Sequence, residues 1–482
     1  MSKTDIGVIG LAVMGENLAL NIESRGYSVS VFNRTFSKTD NFISGRAKGK
    51  NFVGSEKIED FVKSIGKPRK IVLMVKAGEV VDKTIESIVP YLEKGDLIVD
   101  GGNSDYRDTE RRTEELSSKG LLFIGSGVSG GEEGALLGPS LMPGGNPEAW
   151  PLVKEIFTAI SAKAKNGDPC CNWMGNGGAG HFVKMVHNGI EYGDMQLISE
   201  AYNIMKNLLN MSNDEIGAQF TKWNSGVLDS YLIEITADIF KFKEDNEYVL
   251  DKILDVAGQK GTGKWTVENS LDLGNPLTLI TEAVFSRYLS SIKEIRESVA
   301  VNFEKNKVSL SKSKEEILDD LEKTLYSAKI ISYTQGFTLL SDADIKFGWK
   351  LNMAEIAETW RGGCIIRSSF LDKIADAFRR DPKLKNLVLD SYFKEALTKS
   401  LDGFKSTCSL AILNEVPVPA FTSSLNYFNG LKSATLPANL IQAQRDYFGA
   451  HTYERVDKNR NEFFHSNWTG RGGSTSSTNY NI

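Results

Sequence analysis

The sequence of 482 residues contains few of the side chains that build metal centres and disulfide frameworks. It has four cysteines and four histidines, and neither set shows the spacing of a metal-ligand motif. Because of this spacing we expect no catalytic metal. The cysteines also lack the pattern of a disulfide framework, so we expect reduced thiols and a cytoplasmic protein. The residues concerned are Cys170, Cys171, Cys364, Cys408, His181, His187, His451 and His465.

A basic excess and a long apolar run are also missing. The net charge of -5 at pH 7 argues against a nucleic-acid-binding protein, which would carry a basic surface. No apolar run reaches the length that spans a bilayer, so no membrane partner is expected. The N-terminus leads directly into a predicted strand, and we expect no signal or transit segment. Composition is that of a globular protein, and the length predicts two or three domains.

A glycine-rich turn follows the first predicted strand and precedes a helix that should end near Ser24. Strand, turn and helix in this order are the context that a dinucleotide-binding fingerprint requires. Gly10 would supply the tight turn and Gly15 the close helix–strand packing, whereas Ala12 in the middle position should hold a pyrophosphate slightly further out. The amides that begin the helix can bind an anion. The candidate cofactor-binding residues of this turn are Gly10, Leu11, Ala12, Val13, Met14 and Gly15.

The second predicted strand, residues 28–32, ends in Asn33, Arg34 and Thr35. An NAD site would have an acidic side chain here to bind the ribose hydroxyls. Arg34 can instead neutralise an adenosine 2′-phosphate and stack beside it. The sequence therefore predicts NADP as the cofactor, with Asn33 and Thr35 as further contacts. The alternative is that Arg34 is an ordinary turn arginine.

Further apolar strands, at residues 70–75, 97–100 and 121–124, alternate with helices. This alternation predicts a mostly parallel, doubly wound α/β sheet of the Rossmann type. We also expect a short strand near Ala162. Ligands bind at the carboxyl edge of such a sheet, although each glycine pair found there is also compatible with a simple tight turn. The candidate residues at this edge are Val75, Lys76, Ala77, Asn103, Ser129, Gly130 and Gly131.

Residues 180–194 show a polar stripe within an apolar helical pattern. Lys184, His187, Asn188 and Glu191 fall on one helix face, which is the reverse of a surface helix and predicts a buried cleft. The amine and the carboxylate lie about 10 Å apart along the axis, which suits a proton acceptor and a proton donor acting on one substrate. The alternative is a structural ion pair with a satisfied histidine. Tyr192 lies beside this face, and Gly189 and Gly193 on the opposite side predict the close approach of another backbone.

Helical periodicity continues from Gly180 to about Val416 and predicts a large all-helical domain. Residues 258–265 resemble a nucleotide-binding phosphate loop, but Trp265 replaces the required Ser or Thr and no strand precedes the loop. Lys260 and Thr262 could still hold a small phosphate. Arg287, on an apolar helix, is a second candidate for an anion contact, and a structural salt bridge is its alternative.

With these motifs, and with residues 125–132, 360–364 and 444–454, the chain closely resembles the 6-phosphogluconate dehydrogenase family over nearly its whole length. The resemblance implies oxidative decarboxylation of 6-phospho-D-gluconate to D-ribulose 5-phosphate and CO2, with NADP reduction, in the pentose phosphate pathway. It implies a Rossmann-like coenzyme domain at 1–178, an all-helical domain at 179–435 and a tail at 436–482. It also implies a homodimer in which each tail reaches the partner subunit. By composition alone, the end of this tail would be disordered unless something ties it down.

The resemblance also implies the role of each site residue. Lys184 would be the general base and Glu191 the general acid, and Lys76 and Asn103 would border the nicotinamide. A lysine acts as a base only when neutral, so its pKa must lie below the usual value. The substrate would contact Asn103, Ser129, Gly130, Gly131, His187, Asn188, Tyr192, Lys260, Thr262 and Arg287, together with Arg445 of the partner subunit and the partner's His451.

Two alternative functions follow from the same motifs. A hydroxyacid dehydrogenase that does not decarboxylate would share the coenzyme domain, but the long helical domain and the basic residues Lys260, Arg287 and Arg445 disfavour it. A catalytically silent NADPH-binding regulator would need neither Lys184 nor Glu191, and both are present.

Overall fold

The computed structural model describes residues 3–303, 309–472 and 476–477. They form two compact units that divide between Ser424 and Leu425. The finer division at 178 and 435 stays a prediction. The end of the expected tail, residues 473–475 and 478–482, lies outside the described residues. No helix among the described residues is long and apolar enough to cross a membrane.

The first unit begins with an eight-stranded sheet. Its strands are β1 (Ile6–Ile9), β2 (Val29–Phe32), β3 (Phe52–Gly54), β4 (Lys70–Leu73), β5 (Leu97–Asp100), β6 (Leu122–Ser129), β7 (Ser140–Gly145) and β8 (Gly175–Asn176). The order across the sheet is β3-β2-β1-β4-β5-β6-β7-β8, and every pair is parallel except β6 with β7. The predicted mostly parallel sheet is confirmed. Because β1 to β6 are parallel, the loops that follow them share one edge.

Helices cover both faces of this sheet, which explains why its strands are apolar on both sides. They are α1 (Val13–Ser24), α2 (Phe36–Ser44), α3 (Ile58–Ser64), α4 (Glu79–Ile88), α5 (Tyr106–Ser118), α6 (Gly131–Leu137) and α7 (Trp150–Ile160). Leu18 of α1 and Phe157 of α7 belong to the core on one face. Phe61 of α3, Ile85 of α4 and Leu116 of α5 belong to the core on the other face.

The prediction of a short strand near Ala162 is wrong. Lys163 forms only an isolated bridge to Pro169. The backbone here closes a turn instead, because Gly167 donates to the carbonyl of Ala164 and Ala164 donates to that of Asp168. These hydrogen bonds leave no ladder that could extend into a strand.

The rest of the first unit is almost entirely helical, as predicted. It contains α8 (Ala179–Asn203), α9 (Asn213–Asn224), α10 (Tyr231–Ile239), a hairpin of β9 (Lys243–Glu244) and β10 (Glu247–Tyr248), α11 (Thr262–Asp272), α12 (Thr278–Ser291), α13 (Lys293–Ala300), α14 (Lys314–Phe347), α15 (Met353–Thr359), α16 (Leu371–Arg380), α17 (Ser391–Leu413) and the start of α18 (Pro419–Lys432). The 34-residue α14 packs against both α8 and α17.

Helix α8 is anchored at both ends. At its start, a Cβ on Gly180 would lie 2.2 Å from the carbonyl oxygen of Gly125, so the helix begins directly against the sheet. Further along, the carboxylate of Asp194 pairs at 2.5 Å with the ammonium group of Lys329 on α14, and both side chains are buried. This 25-residue helix is therefore fixed between the sheet and the helical core.

The second unit contains the end of α18, then α19 (Ala438–Gly449) and a small antiparallel pair, β11 (Tyr453–Glu454) with β12 (Phe463–Phe464). The buried carboxylate of Asp446 organises it. This group accepts hydrogen bonds from the backbone of Thr452 and Ser466 and from the indole of Trp468, and it lies 2.9 Å from Nδ1 of His465.

Candidate active site

The glycine-rich turn after β1 has the geometry that the sequence predicts. Gly10 has φ +101°, and a Cβ there would lie 2.4 Å from the carbonyl oxygen of Met74. A Cβ on Gly15 would lie 1.9 Å from the carbonyl oxygen of Gly10, so only glycine lets α1 approach the turn. Ala12 caps α1 and is exposed at the sheet edge, together with Val13.

The end of β2 is tied to this turn. The side-chain oxygen of Asn33 accepts a hydrogen bond from the backbone of Leu11 at 3.1 Å, and its amide donates to the carbonyl of Thr35 at 3.2 Å. Arg34 and Thr35 are exposed next to it. Within the described part of the chain, no carboxylate lies within ion-pair distance of Arg34, so its positive charge is available to a bound anion.

The loops after β4 and β5 present Lys76 and Asn103 at the same edge, and both side chains are exposed. The buried carboxylate of Asp100 holds the loop that carries Asn103 through two hydrogen bonds. One oxygen of Asp100 accepts from the backbone of Gly102 at 3.0 Å, and the other accepts from the hydroxyl of Ser104 at 2.6 Å.

The polar face of α8 lies inside the protein, as predicted. Lys184, His187 and Asn188 are buried, and the side chain of Glu191 retains 22% exposure. Nδ1 of His187 lies 3.0 Å from the side-chain oxygen of Asn188, and its Nε2 lies 3.3 Å from the hydroxyl of Ser129. The stripe on α8 therefore meets the end of β6.

Strand β6 passes directly over the stem of Lys184. A Cβ on Gly127 would lie 2.5 Å from Cβ and 2.9 Å from Cγ of that lysine. Beyond it, Gly130 has φ +115°, and a Cβ there would lie 2.7 Å from the carbonyl oxygen of Gly363. Glycine at position 127 lets β6 lie directly on Lys184 of α8, and glycine at position 130 lets the following turn approach the backbone of Gly363.

Burial favours the neutral forms of the groups on this face. It lowers the pKa of Lys184, an effect that the Glu191 carboxylate opposes. Burial raises the pKa of Glu191, although the positive charges of Lys184, Arg287 and Lys260 act to lower it. Burial and the nearby Lys184 hold the pKa of His187 well below its usual value. The site thus combines an amine that loses its proton more easily than usual with a carboxylic acid that keeps its proton more readily.

A basic region adjoins Glu191. The guanidinium of Arg287 stacks 3.5 Å from the ring centre of Tyr192 and donates to the carbonyl of Gly258 at 3.2 Å. No carboxylate of residues 3–303, 309–472 or 476–477 pairs with Arg287, so the alternative of a structural salt bridge is wrong.

The loop before α11 belongs to the same region. Lys260 is exposed there and Thr262 begins the helix, and no strand precedes the loop directly, as expected. A Cβ on Gly263 would lie 2.3 Å from the ring of Tyr192, so the first turn of α11 packs directly on this tyrosine.

The prediction that another backbone approaches Gly189 and Gly193 is wrong, because side chains approach them instead. The side chain of Thr266 lies against Gly189, and that of Ser332 lies against Gly193. Short hydroxyl side chains on α11 and α14 fill the space that the glycines leave. The hydroxyl of Thr266 also donates to the carbonyl of Met185, which fixes α11 on α8.

Sequence reasoning gave no role to three residues that the structure brings to the site. The ring of Trp360 lies edge-on to His187 with 5.8 Å between ring centres, and Gly363 closes on Gly130. Cys364 follows Gly363 directly, and its thiol donates to the carbonyl of Trp360 at 3.1 Å. Residues 360–364 contribute to the family resemblance, but a tryptophan followed closely by two glycines does not by itself indicate which residues it contacts.

Arg445 and His451 belong to the second unit. The guanidinium of Arg445 donates to the side-chain oxygen of Gln442 at 3.0 Å, and Nδ1 of His451 lies 3.2 Å from the hydroxyl of Ser477. Their contribution to a partner's site stays a prediction. Across the residues that the structure describes, no three His, Cys, Asp or Glu side chains form a group that could hold a metal ion.

Comparison with known proteins identifies two matching families. Residues 5–175 match the NAD binding domain of 6-phosphogluconate dehydrogenase, and residues 180–468 match the 6-phosphogluconate dehydrogenase C-terminal domain. The decarboxylating 6-phosphogluconate dehydrogenase of Dictyostelium discoideum is 57% identical over 491 residues, which cover 100% of this chain and 99% of that protein. The enzyme of the same name from Mus musculus is 56% identical over 483 residues, with 100% of both chains covered.

A solved structure agrees. Plasmodium falciparum 6-phosphogluconate dehydrogenase, described as apo, with its cofactor NADP+ and with its substrate 6-phosphogluconate, superimposes with a TM-score of 0.93. It is 46% identical, and the match covers 96% of this chain and 100% of that one.

Proposed function

The chain belongs to the 6-phosphogluconate dehydrogenase family, and we propose that Lys184 and Glu191 perform its reaction, the NADP-dependent oxidative decarboxylation of 6-phospho-D-gluconate to D-ribulose 5-phosphate and CO2. The observation that carries this assignment is the buried polar face of α8, which meets Ser129 at the ligand-binding edge of the sheet. An amine and a carboxyl group on one rigid helix can act in turn on one substrate.

The residues at the sheet edge fit NADP. Gly10 and Gly15 bring the turn and α1 together, and the exposed start of α1 can receive a pyrophosphate. Arg34, which pairs with no carboxylate among the described residues, can neutralise a 2′-phosphate. The turn from Leu11 to Met14, Asn33, Thr35 and residues 75–77 would complete the contacts. When bound, NADP supplies the hydride acceptor for the carbon 3 alcohol of the substrate.

Lys184 is proposed to move a proton twice. Its lowered pKa favours the neutral amine that takes the proton of the carbon 3 hydroxyl as hydride leaves that carbon. The product is a ketone β to the carboxylate. The protonated amine then returns its proton to the ketone oxygen, which accepts the electron pair released when the bond to CO2 breaks. We propose on this basis that the reaction needs no metal ion.

Glu191 is proposed to complete the reaction. Loss of CO2 leaves an enediol whose carbon 1 must gain a proton, and the raised pKa of Glu191 favours the carboxylic acid that can donate it. Glu191 lies on the same face of α8 as Lys184 and about two turns further along, so each group can reach a different carbon. Ser129, His187, Asn188, Gly130, Gly131 and Asn103 are proposed to hold the substrate between them.

We propose that Lys260, Thr262 and Arg287 bind the substrate phosphate with Tyr192. Arg287 is held by its stacking on Tyr192 and by Gly258, and it lacks a carboxylate partner in the described ranges. An oriented, unneutralised guanidinium is well suited to a phosphate. Binding energy from the phosphate would position the reacting carbons.

A homodimer with exchanged tails would complete this site with Arg445 of the partner subunit and the partner's His451. Large apolar side chains exposed along α12, α13 and the residues after them support an interface with a second copy, because monomers rarely expose such a surface. They are Phe285, Tyr288, Leu289, Ile292, Ile295, Val299, Val301 and Phe303. The free, buried cysteines support the proposed cytoplasmic location.

One assay tests the proposed reaction. Purified protein with NADP and 6-phospho-D-gluconate should form NADPH and CO2 in equal amounts, and a chelator should leave the rate unchanged. NADPH without CO2 would indicate a simple hydroxyacid dehydrogenase. Tight NADPH binding without turnover would indicate a silent regulator.

A further inference from the structure

Arg112 on α5 is a fully buried arginine that does not touch the proposed reacting groups. Its side chain is 1% exposed, and it contacts two loops of the sheet edge. Nε and Nη2 bind the two carboxylate oxygens of Asp82 at 2.8 and 3.0 Å, and Nη2 also donates to the carbonyl of Gly78 at 3.1 Å. These hydrogen bonds hold the end of the loop 75–78 and the first turn of α4 against α5.

Arg112 also reaches the neighbouring loop. Nη1 of Arg112 donates to an oxygen of Asp100 at 3.4 Å. Asp100 is itself fully buried and binds Gly102 and Ser104, the residues on either side of Asn103. A continuous chain of charge-assisted hydrogen bonds therefore runs from Asp82 through Arg112 and Asp100 to the loop that presents Asn103.

We propose that Arg112 is a positioning residue that couples the cofactor loop after β4 to Asn103 after β5. It would thereby hold NADP and the sugar acid at a fixed distance and orientation to each other. The inference rests on the proposed function, in which Lys76 and Asn103 border the nicotinamide and Asn103 contacts the substrate. Lysine cannot replace this arginine, because a single ammonium lacks the planar fork that reaches both loops at once.

The first test is Arg112→Lys, with Arg111→Lys as the matched control. Arg111 also binds Asp82, but it is exposed and reaches neither loop. Arg112→Lys should lower kcat by about tenfold or more and raise KM for both NADP and substrate, since small displacements of a positioning group are costly. Arg111→Lys should behave as wild type. Wild-type kinetics in Arg112→Lys, or equal losses in both variants, would overturn the inference.

A double-mutant cycle with Asn103→Ala separates positioning from a general structural role. If Arg112 acts through the Asn103 loop, Arg112→Lys should cost less than about twofold in kcat once Asn103 is alanine. Multiplying losses would overturn the inference, and so would an Asn103→Ala variant with normal kinetics. Should Arg112→Lys fail to fold, Asp82→Asn enters the same cycle with the same two outcomes. A wild-type enzyme without 6-phosphogluconate turnover would reject the proposed function itself, whereas an active wild type with an additive cycle rejects only the coupling.

Discussion

Substituting Gly127 by alanine tests whether the packing of β6 on Lys184 sets the reactivity of that lysine. The added Cβ would lie 2.5 Å from Cβ of Lys184, about 1 Å closer than the ~3.5 Å at which carbon atoms pack. Helix α8 cannot yield easily, because Gly180 lies against the Gly125 carbonyl and Asp194 is paired with Lys329. The strain should therefore fall on Lys184.

We expect two separable effects of Gly127→Ala. Overpacking should cost about 1–3 kcal/mol of stability. Displacing the amine by a fraction of an ångström to 1 Å should lower kcat by up to about 10²-fold, with little change in KM for NADP. Thermal unfolding and steady-state kinetics with 6-phosphogluconate measure the two effects.

Gly226→Ala is the control, because its added Cβ would meet only ordinary contacts of 3.6 Å or more. It should change neither kcat nor thermal stability appreciably. A folded Gly127→Ala enzyme with kcat within twofold of wild type would refute the argument that this contact holds Lys184 in its reactive position.

Three further predictions address the cofactor, the buried ion pair and the tail. Arg34→Glu should remove most NADP affinity while the protein stays folded, and retained affinity in fluorescence titration would contradict the assignment of the 2′-phosphate site. Lys329→Met should destabilise the protein by about 3–5 kcal/mol because it leaves Asp194 buried without its partner. Adding Asp194→Asn should recover part of that lost stability in thermal unfolding. A double variant no more stable than Lys329→Met alone would refute the argument that the unpaired carboxylate causes the loss. Dimers mixed from Lys184→Ala and Arg445→Ala subunits should regain activity if tails are exchanged, because one of the two sites is then intact, whereas inactive mixtures would place both residues in one chain's site.

Local patterns predicted the parts of the site that one segment builds. The glycine spacing around Gly10 and Gly15 predicted the turn, because Gly15 packs on the carbonyl of Gly10 within one strand–turn–helix unit. The contact of Gly10 with Met74, in the loop after β4, has no such local signal. The helical period of residues 180–194 gave the buried polar face, because a polar stripe among apolar residues has one natural orientation. Arg287 was found for the same reason, as a charge within an apolar helix.

Contacts between distant segments could not be predicted in this way. Gly363 closes on Gly130, and Arg112 joins two loops, yet neither has a local pattern that names its partner. The prediction of a strand near Ala162 was wrong because the alternation of Ala162, Lys163 and Ala164 does not reveal that their backbone closes a turn. The backbone contact at Gly189 was wrong because a glycine shows only that something approaches, and here it is a threonine side chain.

The most direct test of the account is turnover by Lys184→Ala, measured by NADPH absorbance beside the affinity for NADP. If the buried amine is the base, kcat should fall by about 10²–10⁴-fold or more while NADP binds as in wild type. Near-normal turnover in a folded variant would contradict the assignment of Lys184 and, with it, the mechanism.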